Sequence, residues 1–381
     1  MNLIEEKQYF LLKKTKKYLN KVKKKGIDVS KSSFCFLNTY AKTPGFGKII
    51  LWLQEKNNLK NILIIMLQHI AAISTFSNYS LLNNLNQKFD TLILTWGRKS
   101  NFKNRLFKDS FTNISSNNLS NGVFFVIYLD KEIPKFVPKN VILLFKKKTK
   151  KSLIYLLKVF FKTLLDNNLS IKKFFHYFSS QTVMAEIVNL KILSIINQNK
   201  IKKIIMPYEG QPFQNYVFRN LKKIDHKIRT IGVVHSMVPA LPLNFVKRDG
   251  APDYIYLSGN SQKNLFIKFL GWKEKNIKII DSLRNKKKIN KKLMKSFYFG
   301  MNINSKNIIT NSFSNYLIIK KEKKIPILNI KKHPQMLESN DQLNLEKEIN
   351  FLFKQNKNRF SKKTKKNISF FAGSTSAFIQ F

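Results

Sequence analysis

A carboxylate that could act as a base, Glu209, stands directly after an apolar run that predicts a strand, Lys203–Tyr208. Gly210 follows it, and the next residues predict a helix over Phe213–Lys223. Ligands of open parallel sheets bind at the carboxyl ends of the strands, where a carboxylate can take a proton from an attacking hydroxyl. The alternative is that Glu209 caps the following helix and complements its dipole.

A histidine, His235, ends the next predicted strand, Thr230–His235. Its imidazole could donate a hydrogen bond to a sugar or a phosphate, and a purely structural hydrogen bond is the alternative. Two glycines, Gly45 and Gly47, lie between a predicted strand and a predicted helix. They could let the backbone approach an acceptor or a phosphate, but their spacing is not a dinucleotide fingerprint, and a tight turn would also explain them.

A basic turn later in the chain could hold a phosphate. Lys332, His333 and Pro334 follow the predicted strand Ile325–Ile330. The proline restricts the histidine before it to extended backbone, which presents the imidazole outward. The two lysines before the histidine, Lys331 and Lys332, make the turn electropositive and suited to a phosphate, whereas an ordinary basic loop is the alternative.

A second phosphate-binding candidate is a pair of hydroxyl residues, Ser374 and Thr375, directly after Gly373. They lie between the predicted strand Ile368–Phe371 and the start of a predicted helix. Backbone N–H groups and hydroxyls at a helix N-terminus form an anion site. An ordinary N-cap by either hydroxyl is the alternative.

The elements that must position these residues alternate between short apolar runs and helical stretches, which predicts an α/β fold with parallel strands covered on both faces. Further strands are predicted at Ser33–Leu37, Ile62–Leu67, Thr91–Thr95, Val123–Leu129, Val141–Phe145, Tyr254–Leu257, Ile277–Asp281 and Tyr316–Ile319. Further helices are predicted at Lys48–Asn57, Leu153–Asp166, Val183–Asn197, Asn260–Leu270 and Asp341–Lys354.

The alternation of predicted strands and helices predicts two Rossmann-like domains in tandem. A basic helix occupies residues 1–30, the first domain spans 31–240 and the second spans 253–381. The segment Met237–Pro252 interrupts the alternation and is the predicted linker. Because Phe381 falls early in the last predicted helix, we expect the second domain to be incomplete.

Composition excludes several classes of protein. The 381 residues carry 70 Lys+Arg against 21 Asp+Glu, a formal net charge of +49. The chain is rich in lysine, asparagine, isoleucine and phenylalanine, the residues of A/T-rich codons, so compositional drift of the genome explains much of this charge. A basic nucleic-acid-binding α/β protein is the alternative. A single cysteine, Cys35, and five scattered histidines exclude a disulfide scaffold, a cysteine-based zinc site and a histidine-rich metal cluster.

The predicted location is the cytoplasm. No apolar run reaches the ~18 residues of a membrane span, and the first residues are acidic where a secretory signal is basic. The basic N-terminal helix and the net charge allow reversible contact with the anionic inner face of the cytoplasmic membrane.

The order of the candidate motifs resembles that of bacterial sialyltransferases and capsular Kdo transferases of GT-B architecture. Those families have an acidic-acidic-glycine element, a His-Pro element and a Ser-Ser/Thr element. The resemblance extends over about Lys203 to Phe381 and includes related surface-carbohydrate biosynthesis proteins. Tyr208 departs from the pattern, because it stands where the first acidic residue is expected.

The resemblance implies a GT-B-like fold whose N-terminal domain takes the acceptor and whose C-terminal domain takes the donor. Glu209 would be the catalytic base, and Gly210 and His235 would lie on the acceptor side. The donor phosphate would be held by four matching residues and a neighbouring lysine, namely His333, Pro334, Ser374, Thr375 and Lys332.

The implied activity is the inverting transfer of a sugar from a nucleotide donor to a glycan or lipid-linked glycan in surface polysaccharide biosynthesis. A CMP donor carrying a nonulosonic acid such as sialic acid or Kdo is favoured. No cofactor and no specific nucleic acid is implied. No metal is implied either, in keeping with the absence from the sequence of any Asp-x-Asp motif that could supply metal ligands. An inactive, truncated relative is the alternative.

Overall fold

The chain divides into two compact units, Met1–Arg284 and Asn285–Phe381. The computed structural model describes residues 3–24, 26, 28, 30, 59–82, 88–147, 152, 154–158, 161, 179–196, 201–235, 243–280, 296–299, 306–319, 325–331, 340–361 and 370–372. Each unit contains parallel strands and helices, so the predicted α/β class, with Rossmann-like parallel sheets consistent with a GT-B-like fold, is confirmed.

The first unit is built on an eight-stranded sheet and carries a small hairpin. Its strands are β1 (Tyr79–Leu82), β2 (Thr91–Gly97), β3 (Phe102–Lys103), β4 (Leu106–Phe107), β5 (Gly122–Tyr128), β6 (Val141–Lys146), β7 (Lys203–Pro207), β8 (Arg229–Val233), β9 (Tyr254–Leu257) and β10 (Ile277–Ile279). Its longer helices are α1 (Leu3–Lys24), α2 (Leu59–Phe76), α3 (Ser179–Ile196), α4 (Pro212–Ile224) and α5 (Asn260–Lys268).

The strand order of this sheet is β1-β6-β5-β2-β7-β8-β9-β10, and only β1 is antiparallel to its neighbour. After β2 the chain adds β5 and β6 on one side, and then returns to add β7 to β10 on the other. This is the 3-2-1-4-5-6 order of a Rossmann sheet, in which ligands bind where the order reverses. The reversal here lies between β2 and β7.

Both faces of the sheet are buried, as strand β5 shows. All seven of its residues are buried. Phe125 belongs to a core that includes side chains of helices α3 and α4, whereas Phe124 belongs to a separate core with Phe107. Because successive side chains of a strand point to opposite faces, an uninterrupted apolar run such as this one is required for a sheet covered on both sides.

The seven strands predicted between Thr91 and Asp281 all occur, with ends that differ by at most two residues. Two other predicted strands are wrong, because Ile62–Leu67 lies within α2 and Tyr316–Ile319 ends a helix, α6 (Lys306–Ile319). A short apolar run is compatible with either structure, and in both places the helical context is longer than the run. The predicted Ser33–Leu37 strand and Lys48–Asn57 helix lie outside the described residues.

The domain boundary differs from the prediction. Strand β9 pairs in parallel with β8, with Ile231 opposite Tyr254, so the two strands that flank Met237–Pro252 belong to one sheet. Phe245 within that segment is buried in the core of the first unit and accepts a hydrogen bond from the Trp272 indole at 2.8 Å. The segment was predicted as a linker from its prolines and charges, which also occur in a connection packed onto its own domain.

The second unit contains a three-stranded parallel sheet with β11 (Ser296–Phe299) between β13 (Asn329–Lys331) and β15 (Phe370–Ala372). A separate parallel pair joins β12 (Ile325–Pro326) to β14 (Phe360–Ser361). Helices α6 and α7 (Asn340–Gln355) accompany these strands. The core is aromatic, and the Phe370 ring lies 5.7 Å from Phe297 and 4.9 Å from Phe313.

Candidate functional site

The candidate site lies at the carboxyl ends of β7 and β8, beside the point where the strand order reverses. Glu209 follows β7 by two residues and His235 follows β8 by two residues. The two strands are neighbours, with Pro207 opposite Val233. Parallel neighbours end at the same edge of a sheet, so the strand pairing brings the predicted carboxylate and the predicted histidine together.

The Glu209 carboxylate contacts two side chains. Its Oε1 lies 3.4 Å from His235 Nε2, and its Oε2 accepts a hydrogen bond from Gln211 Nε2 at 2.6 Å. The Glu209 side chain is 31% exposed, whereas that of His235 is 6% exposed. The carboxylate is therefore held from the protein side and still reaches solvent. A partly exposed carboxylate of this kind can accept a proton from a bound hydroxyl.

Two details of the site bear on the alternatives for these residues. The N-cap of helix α4 is Gln211 rather than Glu209, so Glu209 does not occupy the capping position. The Nδ1 atom of His235 is buried and has no hydrogen-bond partner among the described residues. A buried ring nitrogen without a partner is uncommon in a histidine that serves a structural role alone.

The backbone around Glu209 is fixed by a fully buried glutamine, Gln214. Its side-chain oxygen accepts from the N–H groups of Glu209 and Gln211, at 2.9 and 3.1 Å. Its amide donates to the carbonyl of Pro207 at 2.7 Å. One side chain thus ties the end of β7 to the start of α4. A glutamine in the first turn of a helix is the only sequence signal for this role.

Gly210 lets a second segment approach the same loop. Its φ is +67°, and a Cβ placed there would lie 2.2 Å from the carbonyl oxygen of Asn244. Asn244 in turn donates from its side chain to the carbonyl of Glu209. The Gly210 carbonyl accepts from Arg248 Nη2 at 3.0 Å and from Asn215 Nδ2 at 3.3 Å. The glycine is needed for this close approach and for the left-handed backbone.

An aromatic chain connects the loop after β2 to the histidine. The Trp96 ring lies 5.8 Å from Phe213 and 6.0 Å from Phe111, and Phe111 lies edge-on to the His235 ring at 4.7 Å. Phe111 therefore brings the segment that follows β2 against the Glu209–His235 pair. No spacing or motif in the sequence predicts this contact of Phe111. The contact depends on the sheet order, which places β7 and β8 beside β2.

Seven of the predicted site residues lie outside the described residues, and the assignments made for them stay predictions. They are Gly45, Gly47, Lys332, His333, Pro334, Ser374 and Thr375. Within the described ranges, no group of three or more His, Cys, Asp or Glu side chains is placed to hold a metal ion. Of the helices in those ranges, none has the length and apolar character needed to cross a membrane.

Comparison with known proteins gives a structural likeness but no family. No family model and no curated protein matches the chain. Among solved structures, the chain matches the crystal structure of a glycosyltransferase from Rickettsia africae ESF-5. The two have 8% sequence identity and a TM-score of 0.35, over 76% of this chain and 70% of that chain. A TM-score of this size does not establish a shared fold.

Proposed function

We propose that this chain is a glycosyltransferase in which Glu209 is the general base. The observation that carries the proposal is the partly exposed Glu209 carboxylate at the carboxyl edge of a Rossmann-ordered sheet, in contact with the buried His235. Open α/β sheets bind their ligands at this edge. Transfer to a hydroxyl needs one such base and a leaving group whose charge is stabilised.

The proposed reaction is a single displacement. Glu209 accepts the proton of an acceptor hydroxyl while the hydroxyl oxygen attacks the anomeric carbon of the donor sugar. The bond from that carbon to the phosphate oxygen breaks, and the nucleotide leaves with the electron pair. The configuration at the anomeric carbon is inverted because attack and departure occur on opposite faces.

His235 and Gln211 have positioning roles in this proposal. Gln211 holds one carboxylate oxygen at 2.6 Å, and the His235 Nε2 atom lies 3.4 Å from the other. Both contacts restrict rotation of a carboxylate that is otherwise open to solvent. A base held in the productive orientation loses less entropy in the transition state.

The finer features of the proposal come from the motif resemblance. They are a CMP donor carrying a nonulosonic acid, a glycan or lipid-linked acceptor of a surface polysaccharide, and reaction without a divalent metal. Lys332, His333, Ser374 and Thr375 are proposed to hold the donor phosphate. The proposed location is the cytoplasm, at the inner face of the membrane.

The test begins with nucleotide binding by the full chain. Thermal shift with CMP, UDP and GDP, and with their sugars, is expected to show the largest stabilisation with a cytidine nucleotide. A larger shift with UDP or GDP would overturn the CMP assignment while leaving the transferase proposal intact. Absence of any nucleotide-dependent shift, together with absence of donor turnover, would overturn the proposal as a whole.

The role of Glu209 is tested with the variant Glu209→Gln on the donor identified in this way. We expect turnover to fall by ~10²–10⁴-fold with donor binding nearly unchanged, because the amide cannot accept the proton. Glu132→Gln is the matched control, since Glu132 is an exposed carboxylate paired with Lys99 in the same unit. Full activity of Glu209→Gln would exclude this residue as the base.

A further inference from the structure

A cavity of about 610 Å³ lies in the segment between β2 and β5, apart from the side chains assigned above. Its lining comprises five asparagines, three serines, two lysines, one leucine and one aspartate. The volume falls in the range of sites for small molecules, ~300–1,000 Å³. Such sites are usually lined by apolar groups, whereas this one presents amides and hydroxyls.

The cavity wall is braced by hydrogen bonds within the segment. The Asn101 side chain donates to the Lys108 carbonyl at 2.8 Å and to Ser110 Oγ at 2.6 Å, and the Lys108 N–H donates to the Asn101 carbonyl at 2.9 Å. Asn104 and Asn113 have φ values of 52° and 57°, a left-handed conformation that asparagine tolerates. The wall is therefore preformed, which reduces the entropy lost when a ligand binds.

The only acidic residue of the lining is already engaged. Asp109 is fully buried. Its Oδ1 accepts from Thr95 at 2.6 Å, and its Oδ2 accepts from both the N–H and the hydroxyl of Thr112. These donors already engage both oxygens of Asp109, so this carboxylate serves the loop structure, and the exposed charged side chains of the lining are its two lysines.

Those cations are Lys103 and Lys108, which are both exposed. Neither forms an ion pair with any residue in the part of the chain that the structure describes. Their ammonium groups are therefore available to an anion. Charge-assisted hydrogen bonds from lysine to a carboxylate are stronger than neutral ones, and the surrounding amides and hydroxyls match the donors and acceptors of a sugar ring.

We infer that this cavity binds an acidic sugar residue, with the carboxylate on Lys103 and Lys108 and the hydroxyls on the asparagine and serine side chains. Ser110 lines the cavity, and the next residue, Phe111, contacts the His235 ring. The interpretation of the bound sugar as part of the acceptor rests on the proposed function. The binding of an acidic sugar to the cavity does not.

The experiment is calorimetric titration of the full chain with trigalacturonate, using maltotriose as the neutral probe. Trigalacturonate is expected to bind, and maltotriose to bind at least about tenfold more weakly. The double variant Lys103→Ala/Lys108→Ala should lose about tenfold in trigalacturonate affinity, the effect of ~1.4 kcal/mol of charge-assisted bonding.

The matched control is Lys135→Ala/Lys139→Ala, which removes the same charge from exposed lysines of the same unit that do not line the cavity. This control should keep wild-type affinity. An equal loss in both double variants would reduce the effect to the net charge and overturn the inference. Loss in neither variant, or no binding of trigalacturonate at millimolar concentration, would overturn it as well.

Measuring trigalacturonate binding and sugar transfer on the same full chain separates this inference from the proposed function. Binding that depends on Lys103 and Lys108 in a chain without sugar transfer would support the cavity and refute the transferase. Transfer without such binding would refute the cavity and support the transferase.

Discussion

Three glycines allow the packing around Glu209 to be measured by alanine substitution. Gly259 has an extended backbone, with φ −171°, and nothing lies within 4 Å of the position a Cβ would take. Gly26 has φ +66° and equally open surroundings. Gly210 has φ +67°, but its Cβ would meet the Asn244 carbonyl oxygen at 2.2 Å and the carbonyl carbon at 2.6 Å. Comparing Gly26 with Gly259 therefore measures the cost of a left-handed backbone, and comparing Gly210 with Gly26 measures the added cost of a close contact.

The expected losses in the free energy of unfolding follow this order. Gly259→Ala should cost about 0.5–1 kcal/mol, because Gly259 is the N-cap of helix α5, where alanine is less favourable than glycine. Gly26→Ala should cost about 1–2 kcal/mol, the cost of a left-handed backbone for a residue with a Cβ. Gly210→Ala should cost about 2–5 kcal/mol, because overpacking adds about 1–3 kcal/mol to the same backbone term.

The assay is urea unfolding followed by tryptophan fluorescence. All three tryptophans, Trp52, Trp96 and Trp272, belong to the first unit, so the signal reports the unit that carries the site. Gly210→Ala should also lower turnover, because a displaced Asn244 would no longer hold the Glu209 carbonyl. If Gly210→Ala cost no more than Gly26→Ala, the close approach of Asn244 to this loop would be refuted.

Further predictions concern the same unit. Gln214→Ala should lower the free energy of unfolding by about 2–4 kcal/mol, measured in urea, since three backbone groups lose their partner; an unchanged midpoint would contradict this. His235→Ala should reduce kcat about 10–100-fold and change its pH profile, with CMP binding unchanged, whereas a stability loss without a changed profile would leave only a structural role. Burial, followed by the charge of Glu186, raises the pKa of Tyr216 from 10.0 to about 12. The folded state therefore binds the proton more tightly, and stability present below pH 10 should decline by about 2–3 kcal/mol between pH 10 and 12. Tyr216→Phe should lack this component in pH-dependent urea titrations, and a wild-type profile in that variant would argue against the shift. Helix α1 exposes seven lysines among its described side chains, so binding of the chain to anionic vesicles should be lost at high salt; retention until detergent is added would contradict an electrostatic contact.

Local patterns were sufficient to predict most strands of the first unit. The runs that form β5 and β7 are apolar, short and bounded by turn residues, so their conformation follows from burial on both faces of a sheet. The same criterion was wrong for Ile62–Leu67, because helix α2 is apolar over most of its 18 residues and shows no clear period. In the second unit, β11 was not predicted, since it is a short apolar run that directly follows a lysine-rich segment.

The position of Glu209 at the end of a strand could also be predicted from the sequence, because both the strand and the following helix are local. The contact between Glu209 and His235 could not be predicted from the sequence. That contact requires β7 and β8 to be parallel neighbours, a long-range pairing that no local pattern encodes. The buried Gln214 and the close approach of Asn244 to Gly210 likewise depend on segments that meet only after folding.

The sequence by itself therefore determined the α/β class, most strands of the main sheet and the candidate base. Only the tertiary structure decided which strands are neighbours, where the order reverses and that Phe111 contacts His235. The cavity with Lys103 and Lys108 also belongs to this second group. The physical reason is that hydrophobic period and turn residues act over a few positions, whereas strand order is selected by the packing of the whole sheet between its two cores.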